Sequence, residues 1–316
     1  MKFPAKNLFP VALGVALLLS GCGRRGKRVI ETDYVSAPQV VLRDQLSQVF
    51  NKVGTAKNGE RVDVLDREKR FAKVRTASGL EGWVEQRYLV SEEVYQAFQK
   101  LAQQEKASPI AGTAVTRNDT NLHVEPGRDT EHLYQLSQGA KISVLKRGTV
   151  EKNPPGAAAK TNSGAAGAKP MEDWWLVRDA QEHVGWVLGR MIDLNVPLEV
   201  AQYAEGQRIV VCFELNQVTD GDKKVPQYLM LLSEPKDGLP FDYDQARVFT
   251  WNVRRHRYET AYRERKLNGI LPVTVGHEDF GKEGDLPTFV LRVKDAEGNI
   301  IERKYKMNTP IVRRVQ

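Results

Sequence analysis

A segment that turns on glycine and then runs as a strand occurs twice in this chain, and the repetition limits the fold more than any other feature. Gly59-Glu60-Arg61-Val62-Asp63-Val64-Leu65-Asp66-Arg67 returns as Gly139-Ala140-Lys141-Ile142-Ser143-Val144-Leu145-Lys146-Arg147. Downstream, Phe71-Ala72-Lys73-Val74-Arg75 is matched by Trp174-Trp175-Leu176-Val177-Arg178, and Gly82-Trp83-Val84 by Gly185-Trp186-Val187. The step from arginine to glycine is seven residues in both copies. A unit that fills its own core can be duplicated without redesign, so two copies of one small fold are expected. Short Val- and aromatic-rich runs separated by Gly- and Asp-containing turns favour a small closed β structure over helices or a parallel sheet. In each copy the Gly-Trp-Val unit marks the last hairpin, with Gly82 supplying a tight bend.

The copies differ in length between their matched ends. Gly59 and Val74 are 15 positions apart, and Gly139 and Val177 are 38 apart. The extra residues include 153–170, an Ala-, Gly- and Pro-rich stretch without an aromatic or large aliphatic side chain, expected to be a flexible excursion between two strands.

The order strand, Gly-Glu-Arg-Val-Asp-Val-Leu, aromatic-x-x-Val-Arg, Gly-Trp-Val, Tyr-Leu resembles the bacterial SH3-like (SH3b) domain over about 34–90 and again over 111–195. In the second copy Met191 and Ile192 replace Tyr88 and Leu89. The resemblance implies two small SH3-like β-barrels that bind a ligand in shallow grooves lined by aromatic and polar side chains. Its candidates are Tyr88, Trp83, Trp174, Trp175 and Trp186. For Trp83 and Trp186 the alternative is core packing, because the hairpin closes the barrel. Trp175 stands where the first copy has Ala72, so a large ring is not required there, and Trp175 is expected to be exposed.

Between the copies, residues 91–110 read as a helical linker. Ser91 is placed as N-cap, Glu92 and Glu93 suit the positive helix start, and Val94, Phe98, Leu101 and Ala102 share one face. From 198 to 316 the chain reads as a third, β-rich domain. Its expected strands are 209–215, 227–232, 247–253, 258–263, 289–293 and 300–307, with a hairpin turn at 295–299. Within it, Phe249, Trp251 and Val253 are expected to face the core, and Arg254, Arg255 and Arg257 to form an exposed turn with a candidate anion contact. The fold class expected for the whole chain is mainly β.

The N-terminus carries a different signal. Lys2 and Lys6 precede the apolar run 8–19, which ends in Leu19-Ser20-Gly21-Cys22. This resembles the lipobox of bacterial lipoproteins, and residues 1–21 fit a secretory signal. The run is too short to span a bilayer, which takes about 20 apolar residues. The resemblance implies cleavage before Cys22, acylation of its thiol and attachment to a membrane. Residues 22–33 then form a tether whose Arg24, Arg25, Lys27 and Arg28 would lie near anionic headgroups. Gly23, a non-acidic residue after the acylated cysteine, favours the periplasmic face of the outer membrane if the cell has two membranes.

Little in the chain suggests catalysis. With Cys22 acylated, Cys212 is the one thiol left, and it lies in the apolar run 209–213, so neither a disulfide nor a nucleophile is expected. Five histidines are scattered singly, without His-Glu-x-x-His or His-x-His spacing, and no metal site or cofactor is expected. There is no Gly-x-Ser-x-Gly elbow and no phosphate-binding glycine loop. Aromatics interleaved with arginines around Arg254 could suit nucleic acid, but an exported protein rarely meets it. The expected function is therefore non-enzymatic: a lipid-anchored envelope protein binding peptidoglycan or an envelope partner. The alternatives are a scaffold for an envelope complex or an envelope-acting enzyme working through the C-terminal domain.

Overall fold

In the computed structural model the described residues are 28–152 and 169–315. The proposed signal segment, the lipidation site Cys22 and most of the 153–170 excursion lie outside them.

The first sheet is built from β1 (Glu31–Val35), β2 (Gln39–Arg43), β3 (Lys52–Lys57), β4 (Arg61–Glu68), β5 (Phe71–Thr76), β6 (Glu81–Glu85) and β7 (Leu89–Ser91). The second is built from β8 (Gly112–Thr116), β9 (Thr120–His123), β10 (His132–Leu136), β11 (Lys141–Glu151), β12 (Met171–Arg178), β13 (Val184–Leu188) and β14 (Ile192–Leu194). Their strand orders, β3-β2-β6-β5-β4-β1-β7 and β10-β9-β13-β12-β11-β8-β14, are the same order seven strands on. Each also has a 3-10 turn before its last strand, at Gln86–Tyr88 and Gly189–Met191. The sequence repeat is thus a repeat of topology, in a chain that is mainly β with SH3-like sheets.

The Gly-Trp-Val glycines show why the hairpin needs them. A Cβ on Gly82 would lie 2.7 Å from Leu42 Cβ and 3.1 Å from the Arg43 carbonyl; on Gly185 it would lie 2.7 Å from Leu122 Cβ and 3.2 Å from the His123 carbonyl. Both let β6 and β13 close against β2 and β9 at backbone distance. The 153–170 segment joins β11 to β12, whose ladder runs out to Glu151↔Met171. Its counterpart between β4 and β5 is a tight turn with Lys69 at φ 52°.

Helix α1 (Glu92–Gln104) begins where predicted, with Ser91 extended at the N-cap position but making no side-chain capping bond. It lies between the two sheets. Tyr95 stacks on Tyr34 of β1 at 4.0 Å, and Phe98 meets the edge of Tyr134 of β10 at 5.3 Å. Such pairs contribute about 0.5–1.5 kcal/mol each beyond their area. At the helix C-terminus, Arg178 of β12 donates to the carbonyls of Glu105 and Lys106, which adds a donor at the helix end and opposes the negative dipole end.

The third sheet follows a short helix α2 (Leu198–Ala201) and runs in sequence order: β15 (Arg208–Asp220), β16 (Lys223–Ser233), β17 (Tyr243–Asn252), β18 (Arg257–Asp279), β19 (Asp285–Lys294), β20 (Ile300–Asn308) and β21 (Ile311–Arg314). The six expected strands are all present, and the 295–299 turn forms with Asp295 Oδ1 accepting the amides of Glu297 and Asn299. Four features differ from expectation. β18 continues to Asp279 through Gly269 and Pro272, because its register shifts between Ile270 and Thr274 and pairing then resumes. β21 is an added edge strand. Val253 does not face the core but is 44% exposed, since the strand ends at Asn252. Cys212 is half-buried rather than fully enclosed, and burial pushes its thiol up to about 12.

The second and third sheets share one continuous core. Val177, Val187 and Trp175 cluster with Val211, Leu231 and Tyr243. A buried ion network ties the same interface. Arg147 of β11 donates to Asp242 Oδ1 at 2.9 Å, to Asp173 Oδ1 at 2.9 Å and to the carbonyls of Leu239 and Phe241 at 2.7 and 2.6 Å. Arg208 holds the other oxygen of Asp173 at 2.8 Å.

Candidate functional site

Among the described residues, a groove of about 960 Å³ opens between the first sheet, α1 and the second sheet. Three turns and the helix bring its walls together. The Asn58-Gly59 turn after β3 contributes Asn58, whose Nδ2 donates to the Leu133 carbonyl at 2.8 Å and whose Oδ1 accepts the Gln135 amide at 3.1 Å. Gly59, at φ 74°, lies close under Tyr134, where a Cβ would be 3.3 Å from the ring.

On the opposite wall, Tyr134 and His183 stack at 3.7 Å with their planes 14° apart. His183 is 33% exposed and is fixed by Asp179, whose Oδ2 is 2.9 Å from Nδ1 and whose Oδ1 accepts the amides of Gln181 and His183. With Nδ1–H committed to the carboxylate, Nε2 is the ring nitrogen left for a ligand. Burial pushes the Tyr134 phenol up to about 12, so it stays a neutral donor and acceptor. Asn58, Gln99, Gln103, Gln135 and Gln181 supply amide groups, while Lys106 and Arg178 are balanced by Asp179 and Glu182. Neutral amides around a flat aromatic pair suit an uncharged polar ligand that both donates and accepts hydrogen bonds. No cysteine lines the groove.

None of the five aromatics expected to bind ligand lines this groove. Trp175 is corrected most directly: it is 7% exposed. Register confirms its equivalence to Ala72, since Arg67 pairs with Ala72 and Arg147 with Trp175. Ala72 is itself fully buried, so a larger ring there enlarges the core, and the third sheet supplies the space. Trp174 is 2% exposed. Trp83 is half-buried in β6. Trp186 is half-buried over Gly148, where a Cβ would be 2.7 Å from its ring. Tyr88 is half-buried against the first core, with its hydroxyl accepting from Arg87 at 2.6 Å.

Trp174 borders a smaller concavity of about 270 Å³ with His123, Asn121 and Arg128. There, burial first and then the charge of His132 lower His123 to about 4. Arg254, Arg255 and Arg257 form an exposed turn as expected, organised by Asn252 Oδ1 accepting the amides of Arg254 and Arg255, while Arg255 and Arg257 both pair with Glu259.

Groove residues were missed because each is unremarkable in its own segment. The Asn58-Gly59 dipeptide and the Asp179/His183 spacing were the local signals available.

Residues 39–90 match the family described as bacterial SH3 domain. No curated protein matches the chain. Among solved structures, a NlpC/P60 family protein from Bacillus cereus is 10% identical, with 59% of this chain and 65% of that one covered and a TM-score of 0.24. NlpC2 from Trichomonas vaginalis is 11% identical over 92% of this chain and 96% of that one, with a TM-score of 0.19. The chain thus spans somewhat under two thirds of the Bacillus cereus protein's length. Among the described residues no helix is long and apolar enough to cross a membrane.

Proposed function

We propose that this chain is an exported lipoprotein, anchored through Cys22, that binds the peptidoglycan wall without catalysing its cleavage. In this reading both SH3-like sheets belong to the bacterial SH3 family, as domains 34–90 and 111–195, and 198–316 is a third, β-rich domain. The observation that carries it is the groove set between the matched domain and its topological copy. It is walled by the Tyr134–His183 stack and five amide side chains, which suit the uncharged amide and hydroxyl groups of a sugar-peptide polymer. The test is sedimentation with purified sacculi, using the full-length protein in mild detergent. Retention supports the reading, and failure to co-sediment with the fold intact overturns it. Membrane attachment is tested separately by Cys22→Ala, which should release the protein from the membrane fraction.

A second reading is supported by the Arg147 network, which locks the third sheet to the second. Here the chain is a scaffold that presents residues 198–316 to an envelope protein. Crosslinking in cells from Arg255 separates the two, with protein adducts favouring the scaffold and sugar-peptide adducts the wall binder.

A further inference from the structure

His123 and His132 face each other across the β9–β10 ladder. Directly opposed residues project from the same face of a sheet, and their rings lie 5.5 Å apart with planes tilted 43°. Metal–imidazole bonds are about 2.0–2.1 Å long, which puts the centres of two rings sharing one ion roughly 5–6 Å apart.

The hydrogen bonding around the pair is equally specific. His123 Nδ1 lies 3.1 Å from both the Thr130 carbonyl and Thr130 Oγ1, and that hydroxyl donates its own proton toward the Glu125 and Gly127 carbonyls, each at 2.8 Å. A carbonyl can only accept, so Nδ1 carries the proton and Nε2 presents its lone pair. A backbone acceptor on the far nitrogen is the usual way a protein fixes the tautomer of a metal-binding histidine. Neither His123 Nε2 nor the His132 ring has a hydrogen-bond partner within the chain among the described residues. Two facing imidazoles repel each other when both are protonated, whereas one divalent ion satisfies both lone pairs. The nearby Arg128 does not oppose a cation, because Glu172 accepts from its Nε at 2.9 Å and also pairs with Nη2.

We propose that His123 and His132 form a binding site for a divalent transition-metal ion of the imidazole-preferring kind, copper or zinc. No third His, Cys, Asp or Glu joins them among the described residues, so solvent fills the remaining positions and the ion is exchangeable. Ligand type favours these metals over magnesium or calcium, and Cu²⁺ binds more tightly than Zn²⁺. The site is independent of the groove and of wall binding.

Trp174 supplies a reporter, since its ring meets that of His123 edge-on at 5.2 Å. The full-length protein is titrated with Cu²⁺, which quenches indole fluorescence at short range. Saturable quenching at one ion per chain is expected, with Trp174→Phe removing most of the signal. Excess Zn²⁺, a d¹⁰ ion, should displace copper and restore the emission. His123→Gln and His132→Gln should each weaken binding at least tenfold, and His256→Gln and His277→Gln should leave it unchanged. Quenching that does not saturate, or that keeps its affinity in both His123→Gln and His132→Gln, overturns the site. If His123→Gln lowers the unfolding midpoint, His132→Gln, at a half-buried position outside the core, decides the question alone.

Discussion

Asn58 Oδ1 accepts the Gln135 amide at 3.1 Å while Asn58 Nδ2 donates to the Leu133 carbonyl at 2.8 Å. One side chain thereby continues the hydrogen bonding of β10 into the first sheet, and its Nδ2 also reaches the Val35 carbonyl of its own sheet at 3.2 Å. The two sheets are therefore held in one orientation by α1 on one side and by this amide on the other.

Asn58→Ala removes all three bonds and leaves a backbone amide and carbonyl of β10 without their partners. The expected loss is about 1–3 kcal/mol, read by denaturant unfolding, with faster proteolysis in the 91–110 linker. Asn58→Asp keeps the acceptor for Gln135 but not the donor for Leu133, and should fall between Ala and the parent.

Arg147 gives a larger effect. It is buried between Asp173 and Asp242, with 9% of its side chain exposed. Arg147→Met takes the guanidinium from Asp242 and leaves Asp173 with Arg208 as its remaining cation, and removing one partner of a buried ion pair costs about 3–5 kcal/mol. Combining it with Asp242→Asn should recover part of that loss, so the double-mutant cycle measured by chemical denaturation should be clearly non-additive.

Gly82 and Gly185 occupy equivalent places, each with Leu at 2.7 Å and a backbone carbonyl within 3.2 Å of a would-be Cβ. Because the obstacle includes backbone, Gly82→Ala and Gly185→Ala should each destabilise by about 1–3 kcal/mol. Gly139, which has open space around it, should tolerate the same change better, although its φ of 76° still disfavours alanine. Thermal unfolding of the three variants checks the order.

This contrast shows what was legible in the sequence. Strand repeats, the Gly-Trp-Val closure and the inserted 153–170 segment are local patterns, so reading along the chain found them. Arg147 shows where that reading fails. Its counterpart Arg67 binds Glu31 at 2.6 Å and Asp33 at 2.7 Å within its own sheet. Arg147 instead reaches Asp242, 95 positions away. Equivalent arginines in equivalent strands took different partners because the third sheet packs against only one of them. The same packing turned Trp175 from an expected surface ring into a core residue. The groove was illegible for a related reason, being assembled from residues near 58, 99, 134 and 183 that meet only when the sheets dock.

Acid should weaken the fold through Glu172. Its bond to Arg128 holds the carboxyl below its ordinary range, and burial only partly opposes this. A carboxylate with a lowered folded value contributes stability above its unfolded value, and that stability is lost as pH falls through the folded one. The loss is expected from roughly pH 5 downward. Glu172→Gln should be less stable than the parent at pH 7 and should show a flatter decline below pH 5, measured by urea unfolding across that range.

Wall binding should depend on His183 more than on any of the tryptophans. Its ring is the exposed member of the Tyr134 stack, and Asp179 fixes its orientation without needing it for the core. His183→Ala should leave the chain folded, costing about 0.5–1.5 kcal/mol for the lost ring stack, and lower retention on sacculi about tenfold. Asp179→Asn, which keeps the size but weakens the hold on Nδ1, should give a smaller loss. Trp83→Phe, outside the groove, should bind as the parent does. Full retention by His183→Ala would remove the groove from the binding surface and turn attention to the exposed face of the 39–90 domain.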